Sequence, residues 1–111
     1  AGDGAVFLSI EDFINWDRSL ANRTLVSDTT FHEAITPFIT TKGDTSYYGF
    51  GWNLSENGKD MDHTGGWIGA LTYIYRNHDT GVLFVLLDSS TNRNMRKIGK
   101  TVGDILAGNY E

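Results

Sequence analysis

The sequence predicts an α+β fold: an antiparallel sheet with two helices before it in the chain and one helix after it. Apolar residues recur at helical spacing near both ends of the 111-residue chain. Between them lie short apolar stretches separated by turn residues such as Asn57-Gly58 and Thr80-Gly81, the pattern of consecutive antiparallel strands. No internal repeat, linker or low-complexity segment interrupts this order, so residues 1–111 are predicted to form a single domain.

The first predicted helix begins after Ser9, a residue type that is favourable as an N-cap. Glu11 and Asp12 follow in the first turn, where carboxylates interact favourably with the helix dipole. Apolar residues at helical spacing then continue to about Ala21. This stripe consists of Ile10, Phe13, Ile14, Trp16 and Leu20.

A second, shorter helix is predicted from Ser27-Asp28 to about Ile35. Thr36-Pro37 ends it, because the residue before a proline is disfavoured in the helical conformation. The polar stretch over residues 40–46 is predicted to be a loop.

Alternation of bulky residues with glycine or asparagine over residues 48–54 predicts a strand with one core face and one bare face. Asn57-Gly58 predicts a hairpin turn that returns the chain into a strand over residues 61–65. Trp16, Phe50 and Trp52 are interpreted as core residues rather than as a ligand stack. The bulky side of the first of these strands consists of Tyr48, Phe50, Trp52 and Leu54.

Two further strands and a helix complete the predicted order. Residues 71–76 predict a strand and residues 77–81 its turn. Residues 82–87 are apolar without alternation, which is typical of a central strand covered on both faces. The last helix ends near Gly108. Its predicted inner stripe consists of Met95, Ile98, Val102, Ile105 and Leu106.

The composition narrows the classes of function. A net charge of −5 argues against a nucleic-acid partner. The absence of cysteine excludes disulfides, zinc–thiolate sites and cysteine nucleophiles. His32, His63 and His78 are too scattered for a helical pair of metal ligands, so neither a metal site nor a cofactor is predicted.

One short segment carries residue types with a shared chemical use: Asp62-His63-Thr64-Gly65-Gly66. A basic side chain and a hydroxyl attract a substrate carboxylate. Glycines let a strand approach a reacting carbonyl closely and offer it N–H donors. The segment resembles the third active-site motif of the serine β-lactamase and penicillin-binding-protein superfamily.

Other stretches resemble the same family in the same order. Residues 1–13 resemble its Gly-Gly and Ser/Thr-x-x-Asp segment at the start of a helix, and residues 48–52 resemble its Tyr-Gly-x-Gly-Trp strand. Residues 67–87 resemble its closing hairpin, which a terminal helix follows. The resemblance covers nearly the whole chain and implies the C-terminal portion of a serine hydrolase. The fold would then be an incomplete version of the family fold that holds its last strands.

The family nucleophile lies in a Ser-x-x-Lys motif, and a Tyr-x-Asn or Ser-x-Asn motif follows it. No serine of this chain is followed by lysine three residues later, and Tyr75-x-Asn77 lies after the third motif, where the order is wrong. The fragment alone is therefore expected to be inactive. Its partner would be the missing N-terminal half of a parent enzyme that acts through an acyl-enzyme. The resemblance also implies a bacterial periplasmic or other extracytoplasmic location.

The resemblance implies a role for each residue of the motif. His63 takes the position usually held by lysine, where it would hold a substrate carboxylate or assist proton transfer, and Thr64 would donate a hydrogen bond to that carboxylate. Gly65 would give clearance for the substrate. The N–H of Gly66 would form half of an oxyanion hole. Histidine in place of lysine is a departure that occurs in peptidase-like and esterase-like members, and it makes the charge of the cleft depend on pH near neutrality.

Three classes of function remain open from the sequence. The first is the serine hydrolase, whose substrate stays open between a β-lactam, a D-amino-acid peptide and an ester. The second is a binding or sensor module of the same fold without catalysis. The third is an unrelated small α+β interaction domain.

Residues 82–87 also predict association of the isolated chain. In the complete fold this strand would pair with an N-terminal strand that the chain lacks, so its edge would be bare. The edge carries no proline or charge that would oppose pairing. We therefore expect a symmetric homodimer, joined edge to edge or by strand exchange.

Overall fold

The computed structural model describes Gly4, residues 6–90 and residues 94–108. Most of residues 1–5, which begin the segment that resembles the family's Gly-Gly pattern, therefore lie outside the described residues. The described residues form three helices and six strands. In chain order these elements are α1 (Ile10–Ala21), α2 (Asp28–Ala34), β1 (Phe38–Ile39), β2 (Thr45–Ser46), β3 (Asn53–Leu54), β4 (Asp60–Trp67), β5 (Ala70–Asn77), β6 (Leu83–Asp88) and α3 (Met95–Leu106).

The main sheet contains four antiparallel strands in the order β3-β4-β5-β6. Strands that are consecutive in the chain are neighbours in the sheet, so short turns are sufficient to connect them. α3 packs on one face, mainly against β5. α1 reaches the opposite face through an ion pair with Arg76 of β5. The predicted α+β class, with helices from both ends of the chain on an antiparallel sheet, is confirmed.

The turns of this sheet form at the predicted residues. Gly58 has a φ of +68° in the turn between β3 and β4, as Asn57-Gly58 predicts. Between β5 and β6, the side-chain oxygen of Asn77 accepts hydrogen bonds from the N–H groups of Asp79 and Thr80 at 3.0 and 2.9 Å. Asparagine commonly closes turns in this way. Both predicted turns are confirmed.

α1 begins and ends as predicted. The side chain of Ser9 accepts a hydrogen bond from the N–H of Asp12, and the Asp12 carboxylate accepts one from the N–H of Ser9. This bond from the Ser9 main chain holds the pKa of Asp12 below its usual value. α1 contains no fully buried residue. It is linked to the sheet by the contact between Asp17 and Arg76, with 2.5 Å between Oδ1 and Nε.

α3 packs on the sheet through small residues. Its buried positions are Met95, Gly99 and Gly103, which lie one helical turn apart. A Cβ at Gly99 would lie 2.2 Å from the ring of Tyr73, and a Cβ at Gly103 would lie 3.7 Å from the ring of Tyr75. The glycines therefore let the helix lie directly on the aromatic rings of β5.

The predicted inner stripe of α3 is wrong at three positions. Met95 is buried as predicted, but Ile98, Ile105 and Leu106 are 40%, 52% and 54% exposed. The reason is the size of the side chains on the sheet. Large rings already occupy the space under the helix, so the helix turns its glycine face toward them and its larger residues away.

The strand predicted over residues 48–54 is wrong for most of its length. Only Asn53–Leu54 form a strand, and Tyr48 contacts Asn53 through an isolated bridge. The chain between these residues turns back on itself, and Gly51 has a φ of +83° within it. A left-handed residue breaks the alternation on which the prediction depended.

The aromatic residues of this region fall into two environments. Trp16 of α1 and Trp52 are half-buried, and their ring centroids lie 5.8 Å apart. Phe50 is 63% exposed, because it lies in the turn rather than on a strand face. The core prediction is therefore wrong for Phe50.

The predicted loop over residues 40–46 is shorter than expected. β1 and β2 form a small second sheet that pairs Phe38 with Ser46 and Ile39 with Thr45. Only the residues between these strands form the loop. α2, in contrast, starts from Ser27 as predicted and ends one residue before its predicted end.

β6 lies at an edge of the main sheet in the described part of the chain. It pairs with β5 on one side and with no described strand on the other. An edge position is what we expect of this strand in a chain that lacks the N-terminal strand, but its two faces are only partly covered, and Leu87 is 51% exposed. This bare edge is the feature that the predicted association requires. The association itself stays a prediction.

We expect Leu87→Lys to shift the isolated chain from dimer to monomer. A charge at a half-exposed position of an edge strand opposes pairing with a second copy and does not have to be buried. Light scattering at a chain concentration of about 100 μM measures the mass. Thr80→Lys, in an exposed turn, is the matched control and should leave the mass unchanged. A folded wild-type chain with the mass of one copy would contradict the predicted dimer.

Candidate functional site

The segment over residues 62–66 lies within β4, where successive side chains face opposite sides of the sheet. His63 is half-buried and shares the α1 side with Gly65. Thr64 and Gly66 face the α3 side and are exposed. The side chains of His63 and Thr64 therefore diverge. One ligand can approach both residues only at the edge of the strand.

β4 has such an edge. β3 is two residues long and pairs with β4 only as far as Asp62. The N–H of Ser55 donates to the carbonyl of Asp60 at 2.9 Å, so alternate residues from Asp60 onward direct their main-chain groups to this side. Among the described residues, the N–H and C=O groups of Thr64 and Gly66 consequently face an unpaired, exposed edge.

The imidazole of His63 contacts one tyrosine. Its Nε2 lies 3.0 Å from the hydroxyl of Tyr48, and the two ring centroids are 6.0 Å apart. The Tyr48 main chain bridges to Asn53. The N–H of Phe50 donates to the carbonyl of Ala34 at the end of α2, at 3.0 Å. The end of α2 therefore helps to position the hydroxyl that contacts His63.

The two glycines of the segment have different surroundings. A Cβ at Gly65 would lie 2.3 Å from Oγ1 of Thr72 on β5, whereas a Cβ at Gly66 would lie at an ordinary 3.7 Å from Leu71. A side chain at position 65 would therefore require the Thr72 side chain on the neighbouring strand to move. Its predicted role in clearance for a substrate stays a prediction.

A polar groove of about 580 Å³ lies on the other face of the sheet, between β4 and α3. Asp62 accepts hydrogen bonds there from Asn53 at 2.8 Å, from Tyr73 at 3.2 Å and from Arg96 at 3.3 Å. Burial raises the pKa of Tyr73, and the negative charge of Asp62 raises it further. Asp62 therefore belongs to an internal network that faces away from His63.

A second carboxylate in this groove is also engaged. Asp60 accepts hydrogen bonds from Tyr75 at 2.5 Å, Asn77 at 2.7 Å and Asn57 at 2.9 Å. Burial opposes ionisation of Asp60, but these bonds outweigh it and hold its pKa below the usual value. Burial and the bond to Asp60 raise the pKa of Tyr75 to about 12. The network therefore joins β4 to β5 rather than offering a free acid.

A shallow apolar depression of about 560 Å³ lies beside the residues around Tyr48. It shares a wall with the contact to His63, since Tyr48 belongs to both. Its walls include Pro37, Phe38, Tyr48 and Phe50, and its polar residues include His32 and Glu33.

Two absences hold for the part of the chain that the structure describes. No three side chains of histidine, aspartate or glutamate are arranged there to hold a metal ion. None of the helices described is long and apolar enough to cross a membrane.

Tyr48 is not predicted from the sequence as a partner of His63. Alternation places it on the core face of a strand, whereas the turn that follows it brings its hydroxyl to the imidazole. One signal was available: Tyr48 begins the Tyr-Gly-x-Gly-Trp segment that precedes the motif of His63. Residue spacing alone does not reveal the contact, because it depends on how the turn folds.

Comparison with known proteins gives a limited similarity. The chain is 35% identical to penicillin-binding protein 4* of Bacillus subtilis (strain 168) over 78 residues, which cover 68% of this chain. The chain spans 17% of the length of that protein. No protein-family model matches the chain. The similarity supports a distant relationship to penicillin-binding proteins and, at that coarse level, to serine hydrolases.

Proposed function

We propose that this chain supplies one wall of the active site of a serine hydrolase that works through an acyl-enzyme. The observation that carries the proposal is the unpaired edge of β4 at Thr64 and Gly66, beside His63. Main-chain N–H groups at an exposed strand edge are suitable donors for the oxygen of a reacting acyl group. The similarity to penicillin-binding protein 4* supports the same class.

Three residues of the motif have roles in this proposal. The N–H of Gly66 donates to the oxyanion at the strand edge. The imidazole of His63 approaches from the α1 side, where it holds a substrate carboxylate as a cation or assists proton transfer as a neutral base. The hydroxyl of Thr64 donates to the carboxylate from the α3 side of the same edge.

This chain does not contain the Ser-x-x-Lys motif that carries the nucleophile in the family. We propose that a Ser-x-x-Lys motif elsewhere in the same protein completes the site. The segment that carries this motif would be the missing partner of this chain. Its serine N–H would provide the second half of the oxyanion hole. Without it, the same edge is suited only to binding, which is the alternative of a non-catalytic binding module.

A chimera tests the proposal. In penicillin-binding protein 4*, the segment that matches this chain is replaced by the corresponding residues of this chain. We expect the chimera to be labelled by a fluorescent penicillin. His63→Ala should slow labelling by about tenfold or more if His63 binds the substrate carboxylate, and by about 100-fold or more if it assists proton transfer. His78→Ala is the matched control, since His78 lies in a turn beside Asp79, and it should leave labelling unchanged.

The two roles of His63 are separated by His63→Lys in the same chimera. If His63 binds a carboxylate as a cation, Lys should preserve labelling and flatten its pH dependence between about 6 and 8. If His63 acts as a neutral base, Lys should abolish labelling. A folded chimera that is not labelled would contradict the proposal. Labelling of this chain alone would show that the nucleophile does not lie elsewhere.

A further inference from the structure

We propose that Tyr48 is a positioning residue for His63: its hydroxyl holds the neutral imidazole in the tautomer that carries its proton on Nδ1. The consequence of this tautomer for a substrate rests on the proposed function. The tautomer itself is a property of the folded chain and can be measured without any substrate.

The direction of the hydrogen bond follows from the chemistry of the two groups. A neutral imidazole has one N–H donor and one nitrogen acceptor, and a phenol can donate or accept. The phenol O–H is the stronger donor of the two, and the imidazole nitrogen is the stronger acceptor. With 3.0 Å between the Tyr48 hydroxyl and Nε2 of His63, the hydroxyl therefore donates to Nε2. The ring proton then lies on Nδ1.

Tyr48 is suited to this role because its main chain is fixed on both sides. It bridges to Asn53 at the start of β3. The next residue, Gly49, lies so close to α2 that a Cβ there would be 1.9 Å from the carbonyl oxygen of Ala34. The N–H of Gly49 also donates to the carbonyl of Trp52 at 2.8 Å. The hydroxyl is thus held by a turn that is packed directly on a helix.

The tautomer decides what the neutral ring can do to a ligand. A general base needs a free lone pair, but the lone pair of Nε2 accepts the hydrogen bond from Tyr48. The Nδ1–H has no partner among the described residues and is a donor. Neutral His63 therefore donates a hydrogen bond to a substrate oxygen, such as that of a carboxylate. Of the two roles proposed for His63, this favours binding over proton abstraction.

The test is a measurement of the imidazole tautomer by NMR. In the chain labelled with ¹⁵N, long-range correlations between ring nitrogens and carbon-bound protons identify which nitrogen carries the proton. At about pH 9, where histidine is ordinarily neutral, we expect the proton of His63 on Nδ1. In Tyr48→Phe we expect it to move to Nε2, the form that unconstrained histidine prefers. Tyr47→Phe is the matched control and should leave the tautomer unchanged.

Two results would overturn the proposal. The first is a proton on Nε2 of His63 in the wild-type chain. This result can be observed without any variant. The second is a folded Tyr48→Phe chain whose His63 tautomer is unchanged. His78, which contacts Asp79 in a distant turn, is the internal reference in the same spectra.

A second readout connects the tautomer with the proposed function. In the chimera, Tyr48→Phe should slow penicillin labelling by about three- to tenfold, the effect of one lost hydrogen bond, and should raise the half-saturating concentration rather than only the maximal rate. A tautomer on Nδ1 together with an unlabelled chimera would mean that the proposed function fails while the positioning of His63 stands. An unchanged labelling rate in Tyr48→Phe, with a changed tautomer, would overturn the role of this tautomer in binding.

Discussion

Asp17→Ala is expected to lower the free energy of unfolding by about 3–5 kcal/mol. Arg76 is 3% exposed, and its Nε lies 2.5 Å from the carboxylate of Asp17. Without Asp17, a guanidinium would remain buried in the sheet with no compensating charge. Because Arg76 belongs to β5 and Asp17 to α1, the loss should also release α1 from the sheet.

Urea unfolding followed by circular dichroism measures this effect. The matched control is Asp28→Ala, which removes the partner of Arg23 in another aspartate–arginine pair, at 2.9 Å. The Asp28 side chain is 89% exposed, so its loss should change stability by less than about 1 kcal/mol. Asp17→Ala combined with Arg76→Met should recover part of the loss, because the buried charge is then gone. Equal losses for Asp17→Ala and Asp28→Ala would contradict the prediction.

Gly99→Ala is expected to destabilise the chain by about 1–3 kcal/mol, although alanine is the better helix former. Its Cβ would lie 2.2 Å from Cε1 and 2.4 Å from Cδ1 of Tyr73. The Tyr73 ring cannot move aside easily, because it is 1% exposed and its hydroxyl is bonded to Asp62. α3 would have to move away from β5 and lose its packing.

The same substitution at Gly103 is the matched control. Gly103 is also buried in α3, but a Cβ there would lie 3.7 Å or more from the rings of Tyr75 and Phe84, an ordinary contact. Gly103→Ala should therefore stabilise the chain by up to about 1 kcal/mol through helix propensity. Thermal or urea unfolding of the two variants should show effects of opposite sign. A stabilising Gly99→Ala would mean that α3 does not lie on Tyr73 as described.

Some features of the candidate site could be predicted from the motif, and others depend on the fold. Residues 61–65, which include His63, were predicted on a strand that follows a hairpin turn, and β4 contains them and extends through Gly66. The roles of its residues stay predictions. The contact of His63 with Tyr48 and the unpaired edge beside Gly66 were not predictable from the segment, because both depend on where β3 ends.

Features that depend on neighbouring residues could be predicted from the sequence alone. Ser9 and Asp12 define the start of α1, Asn57-Gly58 defines the hairpin, and the Asn77 turn separates β5 from β6. Each is formed by groups within a few positions of one another, whose geometry follows from local hydrogen bonds and allowed dihedral angles.

Features that depend on residues far apart in the chain could not be predicted in this way, because they form only when the elements pack together. Hydrophobic periodicity predicts that α3 turns its isoleucines toward the sheet. In the structure Gly99 faces the sheet instead, because only a residue without a side chain fits against the Tyr73 ring. Likewise, nothing local to Asp17 reveals that Arg76, on the opposite side of the sheet from α3, will be its partner. Hydrophobic periodicity shows only which residues are apolar. Packing depends also on the shape and charge of the surface against which each element packs.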